Sequence, residues 1–172
     1  MAGILVLGIG NILLKDEGVG VHVVQTMADQ VAKGMLRLPE EVELVDGGTF
    51  GIDLLDTIAG RRKVIVVDAV QVTAAETAEP SKIAPGAILR FTAADLQQRQ
   101  AADLSLHQIG LFETLTMAQQ LGCAVGEVVI LGIVPKTLES GLELSPEVVA
   151  AVPKVIELVL KEIRDAGFEP RP

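Results

Sequence analysis

Several acidic side chains and one imidazole stand where an open α/β sheet places its chemistry. Asp16 and Glu17 follow an apolar run that ends in Gly8-Ile9-Gly10-Asn11, Asp46 closes a second run, and Asp68 closes a third. His107 comes directly after Ser105-Leu106, at the start of a helical pattern. In such sheets the ligand crevice lies beyond the C-terminal ends of the strands, where neighbouring connections leave on opposite faces. With a strand order of 2-1-3 that crevice falls between the first and third strands, and Glu17 and Asp68 face each other across it. A helix N-terminus disfavours imidazolium, so His107 keeps a neutral ring with a lone pair for a metal. Two carboxylates and one imidazole make an open three-ligand set suited to a borderline divalent ion such as nickel or zinc. The residues alone leave a plainer reading open, because strand-end carboxylates often cap the next helix and a single histidine is more often structural.

The elements that must position these groups follow from periodicity. Residues 1–10 read as a buried strand running into a tight turn, and 18–33 as a helix with Val19, Val23, Met27 and Val31 on one face. Residues 41–46 form a second strand, broken by Gly47-Gly48, and Ile52, Leu55 and Ile58 give the inner face of a short helix. Val64-Ile65-Val66-Val67 is a continuous β-branched run ending at Asp68. The order β-α-β-α-β specifies a parallel sheet with right-handed crossovers. Residues 71–86 read as a surface loop, 87–91 as an edge strand, and 96–102 as a short helix or an irregular crossing. Ser105 to Gln108 fits a capping box, which puts His107 in a first helical turn, and Gly122 suits a left-handed helix stop. Residues 128–134 form the last strand, and Ser145-Pro146 opens the final helix with an N-cap and a proline at its first position. The fold class is therefore a three-layer α/β/α single domain, a twisted and mostly parallel sheet of about five strands. It spans residues 1–167, and 168–172 are expected to fray.

Composition narrows the partners. A chain of 172 residues, 49% apolar, with neither Trp nor Tyr, closes one aliphatic core. A net charge of -9 without any basic cluster argues against nucleic acid and anionic membranes. The apolar run Ile4 to Leu7 is shorter than a signal-peptide core or a spanning helix, and Cys123 is the single cysteine, so a cytoplasmic location is expected. Cys123 itself reads as a small core residue. His22 reads as a helix surface residue, and Asp53 and Asp56 as solvated groups on the outer side of the second helix.

Two turns could meet a ligand through backbone. In Asp46-Gly47-Gly48-Thr49 the glycines let amides approach a bound peptide, while Asp46 either orients a ligand or caps the helix. Gly8-Ile9-Gly10-Asn11 opens like a phosphate-binding turn, yet Leu13 stands where a dinucleotide fingerprint needs its third glycine.

Taken in order and spacing, Ile4-Leu5-Val6-Leu7-Gly8-Ile9-Gly10-Asn11, Asp16-Glu17-Gly18-Val19-Gly20, Asp46-Gly47-Gly48-Thr49, Val67-Asp68-Ala69 and His107-Gln108-Ile109-Gly110 resemble the nickel-iron hydrogenase maturation endopeptidases. The likeness extends through Gly132-Ile133-Val134-Pro135 to the Ser145-Pro146 helix. It implies Glu17, Asp68 and His107 as metal ligands and a role in substrate recognition or catalysis for Asp46, with Gly8, Gly10, Asn11, Gly47, Gly48 and Thr49 along the substrate path. It also implies an endopeptidase that removes the C-terminal extension of a nickel-loaded hydrogenase large-subunit precursor. The nickel would be presented by the substrate, and zinc or cadmium are ions that could take its place. Whether the metal polarises the scissile carbonyl, or a carboxylate among Asp46, Glu17 and Asp68 activates water, stays open. The chain has no His-Glu-X-X-His helix and no serine nucleophile elbow. The alternatives are a non-enzymatic nucleotide or metal-carrier module using the same crevice, or another metallopeptidase or amidohydrolase on the same sheet architecture.

Overall fold

The computed structural model describes residues 2–49, 54–71, 83–98, 106–123 and 125–171, with backbone only at 2, 96–98 and 106–109. Its elements are β1 (Ala2–Ile9), a 3-10 turn (Lys15–Gly18), α1 (Val19–Ala32), β2 (Val42–Gly48), α2 (Leu54–Ile58), β3 (Arg61–Ala69), β4 (Ile88–Thr92), α3 (Ala93–Gln98), α4 (Leu106–Gln120), β5 (Glu127–Ile133) and α5 (Pro146–Asp165). The strands form one sheet in the order β2-β1-β3-β5-β4, parallel except for β4, which runs antiparallel to β5. The expected 2-1-3 order holds, and β1 has β2 on one side and β3 on the other.

Burial explains the sequence pattern strand by strand. β1 and β3 are covered on both faces, so Ile4 to Leu7 and Val64 to Val67 are continuous apolar runs with almost no exposure. The edge strands β2 and β4 are only partly covered and carry charged residues such as Glu43 and Arg90. One face of the sheet packs against α1 and α5 through Val19, Val23, Met27, Val148, Val155, Val159 and Ile163. The other packs against α2 and α4 through Leu54, Ile58 and Leu111. On α5 the buried positions Val148, Ala151, Val155, Val159 and Ile163 recur at three- and four-residue steps. That spacing is one helical face, each branched side chain adding about 1.5–3 kcal/mol of burial before ordering entropy is subtracted. On α1 the stripe stops at Met27, and Val31 is solvent-facing because the helix has run past the sheet.

Two tertiary anchors use charge where the sequence suggested none. Asp16, fully buried in the 3-10 turn, accepts hydrogen bonds from the amides of Lys136 (2.9 Å), Thr137 (3.1 Å) and Ser145 (2.6 Å), and from the Ser145 hydroxyl (2.8 Å). Ser145 does precede α5, but its hydroxyl makes no cap bond to that helix and turns to Asp16 instead. Burial opposes ionisation of Asp16, and the Ser145, Lys136 and Thr137 donors outweigh it, so the carboxyl is held below the usual carboxylate range. The second anchor is Glu162 on α5, which receives Lys63 of β3 at 2.7 Å and Arg90 of β4 at 2.6 Å. Lys63 and Glu162 are both almost wholly buried, and Glu127 at 3.1 Å gives Lys63 a second carboxylate. Burial again works against the Glu162 charge, and the Arg90 and Lys63 donors hold its carboxyl below the ordinary value.

One local expectation changes, and others fall partly outside the described residues. Of the undecided 96–102 stretch, the described part is the end of α3, while 99–102 lie outside the described residues. Most of the 71–86 loop and the capping Ser105 lie outside them too, although α4 does begin at Leu106 and Gly122 takes φ 69° at its end. The tail is pinned where fraying was expected. Arg62 lies over the Phe168 ring at 5.5 Å, Pro170 is buried, and Arg37 and Arg171 exchange backbone hydrogen bonds of 2.7 and 2.9 Å. The partner of Arg171 is remote in sequence, so no local pattern announces the pairing.

Asp16→Ala strands several buried donors at once and is expected to cost about 3 kcal/mol or more, read from chemical denaturation. Because the folded Asp16 carboxyl titrates low, its stabilisation is complete above the unfolded carboxyl pKa of about 4 and fades as pH falls through the folded value. The variant should therefore show a shallower loss of stability on the acid side than the parent. Glu162→Ala leaves the Lys63 ammonium buried beside a half-exposed Glu127 and is expected to cost about 3–5 kcal/mol, whereas the paired change Lys63→Met with Glu162→Leu should recover most of that loss.

Candidate active site

The crevice begins with glycine contacts. A Cβ on Gly20, in the first turn of α1, would collide with the carbonyl oxygens of Val67 and Ile9, and one on Gly8 would collide with the carbonyl oxygen of Gly20. The helix start therefore lies directly on the ends of β1 and β3, closer than any side chain permits. A Cβ on Gly10 would meet the carbonyl oxygen of Glu17, which brings the 3-10 turn down onto the β1 exit. Glu17 precedes Gly20 by one turn, and Asp68 follows the Val67 that Gly20 touches, so both residues belong to the same end of the same strand pair. The packing of the 3-10 turn on β3 is the tertiary counterpart of that sequence arithmetic.

Glu17 is half-buried, and its amide donates to the Leu14 carbonyl at 3.1 Å, closing the turn that carries it. Asp68 is 2% exposed at the C-terminal end of β3, level with Gly132 of β5. A carboxylate so deeply placed must be paired, hydrogen-bonded or metal-bound to stay charged. His107 is the second residue of α4, in the first turn as its sequence context required. Its side chain lies outside the described residues, as does the capping Ser105. Among the described residues no three His, Cys, Asp or Glu side chains form a group able to hold a metal ion. Carboxylate oxygens such as those of Glu17 and Asp68 are of the type that suits a hard or borderline divalent cation.

Asp46 stands beyond β2 on the other flank of β1. One carboxylate oxygen accepts the Gly48 amide at 3.0 Å, and the other accepts the Gln25 side-chain amide of α1 at 3.1 Å. The carboxylate is exposed yet fixed, the state required of a group that orients a peptide or a water. The Gly48 bond is the local turn expected of Asp46-Gly47-Gly48; the Gln25 bond comes from a different element and was invisible in the motif. Asp46, Gly48 and Thr49 join Gly10 and Asn11 around one cavity of about 290 Å³, whose apolar wall is Ile12, Leu13 and Val21. Five of the residues assigned to the substrate path thus share one space. Gly8 and Gly47 do not line it: Gly8 is buried against α1, and Gly47 faces Leu7 of β1. Their part is to let the elements close. Asn11 builds its own loop, because its side-chain oxygen accepts the Leu13 amide at 3.0 Å.

Residues outside the motifs complete the surroundings. The 136–145 segment is clamped to the site loop by Asp16 and by mutual bonds between Gly141 and its neighbours, Gly141 donating to the Leu13 carbonyl and Lys15 donating to the Gly141 carbonyl, both at 2.9 Å. Nothing in the sequence marked Asp16 as the structural member of the Asp16-Glu17 pair, because its donors come from residues more than a hundred positions away. His22, read as a surface residue, is half-buried with Nε2 enclosed and without a hydrogen-bond partner among the described residues. Asp56 is exposed as expected, Asp53 lies outside the described residues, and Cys123 is half-buried beside a separate cavity under α4.

The chain was compared with known proteins. The model of the hydrogenase maturation protease family matches residues 21–162. The hydrogenase 2 maturation protease of Escherichia coli K12 is 34% identical over 169 residues, covering 98% of this chain and 95% of the relative. The hydrogenase expression/formation protein HupD of Rhodobacter capsulatus is 34% identical over 168 residues, covering 96% and 73%. Among solved structures, the hydrogenase maturating endopeptidase HybD from E. coli superposes with a TM-score of 0.83 at 34% identity, covering 100% of this chain and 98% of that one. The nickel-iron hydrogenase maturation protease HybD from Thermococcus kodakarensis gives a TM-score of 0.72 at 28% identity, covering 95% and 99%. The carrier-module alternative gives way to the relatives named as protease or endopeptidase. With its five-stranded sheet, its glycine-packed crevice and these relatives, the chain belongs to the hydrogenase maturation protease family and is a peptidase.

Proposed function

We propose that this protein cuts the C-terminal extension from a nickel-iron hydrogenase large-subunit precursor after nickel has been inserted. The observation that supports the reading is the close seating of the 3-10 turn that carries Glu17, and of the α1 start, on the ends of β1 and β3 through Gly10 and Gly20, with Asp68 near the end of β3. His107, in the first turn of α4, is the third member of the set.

In this reading nickel belongs to the substrate. A precursor whose nickel is already held by its own ligands offers open coordination positions, and Glu17, Asp68 and His107 take them up. The metal then serves as a positional anchor, converting a search by a flexible tail into a fixed geometry. A precursor without nickel lacks the anchor, so cleavage is withheld until the centre is filled. Asp46, fixed by Gly48 and Gln25 beyond the neighbouring strand, holds either the peptide backbone or the attacking water. The net charge of -9 and the absence of a basic cluster favour neither nucleic acid nor an anionic membrane as partner. Among the described residues no helix is long and apolar enough to cross a membrane.

Mass spectrometry of a nickel-loaded precursor incubated with the protein tests the reading, a loss of the C-terminal peptide being expected and an unchanged mass counting against it. The same precursor prepared without nickel should remain intact. Glu17→Gln, Asp68→Asn and His107→Ala should each slow processing by about a hundredfold or more, the several kcal/mol at stake when a metal anchor is lost. Wild-type rates in any one of them remove that residue from the site. Asp46→Asn distinguishes its two roles: a fall in kcat assigns it to water, and a rise in KM alone assigns it to substrate orientation.

A further inference from the structure

The cavity beside Asp46 has an apolar side that the metal-anchoring residues do not use. Leu13 is 61% exposed and Ile12 is 42% exposed, both at its rim. Leu142, adjoining Gly141, is 63% exposed as well. Large aliphatic groups at such exposure are ordinary when scattered, but these three are gathered on two clamped loops.

The clamp matters because it fixes where the Leu13 side chain stands. Its amide is held by Asn11 Oδ1 and its carbonyl by Gly141, while the flanking Leu14 and Lys15 amides bond to the Asn11 and Gly141 carbonyls. Lys15 Nζ adds an ion pair to Glu139 at 3.0 Å across the same two loops. An apolar side chain on a rigid loop stays exposed to water without the loop being able to fold it away. The opposite side of the cavity is the Asp46, Gly48 and Thr49 turn, so an extended polypeptide lying there meets polar groups on one side and aliphatic surface on the other. A binding site with an apolar body and few convergent polar groups selects by the shape of one inserted side chain.

We infer that Ile12, Leu13 and Val21 form a specificity subsite that accepts one apolar side chain of the polypeptide substrate, next to the Asp46 turn and apart from the Glu17, Asp68 and His107 set. The inference rests on the proposed cleavage of a hydrogenase precursor and names what that substrate must present besides its metal. Leu13 contributes a removable share of substrate affinity and takes no part in the chemistry of the cut.

The test is steady-state processing of nickel-loaded precursor by the parent, Leu13→Asp and Leu13→Met. Leu13→Asp should raise KM about tenfold or more with kcat little changed, as expected for lost uniform binding in an apolar pocket, and Leu13→Met should restore the parental KM. Because Leu13 is exposed, thermal unfolding of both variants should match the parent. A scan placing aspartate at each precursor residue flanking the cut should find one position that raises KM in the parent and adds nothing in Leu13→Asp. An unchanged KM in Leu13→Asp, or an effect of the scan that is fully additive with it, overturns the subsite while leaving the proposed cleavage intact. Failure of the parent to cut the loaded precursor overturns both.

Discussion

The site depends on an approach between α1 and the sheet that only hydrogen-sized side chains allow. Gly20 lies on the carbonyl oxygens of Val67 and Ile9, Gly8 lies under the carbonyl of Gly20, and Gly10 admits the carbonyl of Glu17. Any larger residue at these places would lift the helix start, and with it the 3-10 turn, away from the end of β3. The placing of the turn that carries Glu17 against the strand ends thus depends on absent side chains. Glycine here costs backbone entropy on folding, which is offset by the dense aliphatic packing of β1 and β3 on both faces.

The second constraint is the buried carboxylate of Asp16. It draws the loop after β5 and the residue before α5 onto the 3-10 turn, so one charge organises three segments. Adjacent acidic residues in this turn thus have opposite tasks. Asp16 faces inward and is consumed by donors, while the neighbouring Glu17 is half-buried in the same turn. The same clamp indirectly sets the exposed Leu13 beside the Asp46 turn, through the bonds of Gly141 to that loop. Glu162 performs the corresponding task at the far end of α5, holding the helix to β3 and β4 through Lys63 and Arg90.

Division of labour across β1 follows from these constraints. On the β3 side stands the buried Asp68 at its strand end; on the β2 side stand a fixed Asp46 and a cavity walled in part by Ile12, Leu13 and Val21. The proposed reading, in which a metal and a polypeptide are both recognised, uses these two flanks, one for each kind of contact. Placing them on either side of one buried strand keeps their spacing rigid, since β1 is tied to both neighbours along most of its length.

Much of this was legible in the residues. Buried parallel strands write themselves as unbroken aliphatic runs, so the parallel sheet, most of its helices and the strand-end positions of Asp46 and Asp68 follow from periodicity, while the 2-1-3 order was a condition that the tertiary structure met. The first-turn position of His107 follows from its capping context in the same way. What only the tertiary structure decided are contacts between elements remote in sequence: Ser145 turning from its helix to Asp16, Gln25 reaching Asp46, Gly141 holding Leu13, and Arg171 pairing with Arg37. The reason is physical. Local periodicity reports which face of an element is buried, because that is set by neighbours one turn or two residues away, whereas a polar side chain's partner is chosen by whichever element the completed packing brings within hydrogen-bond reach.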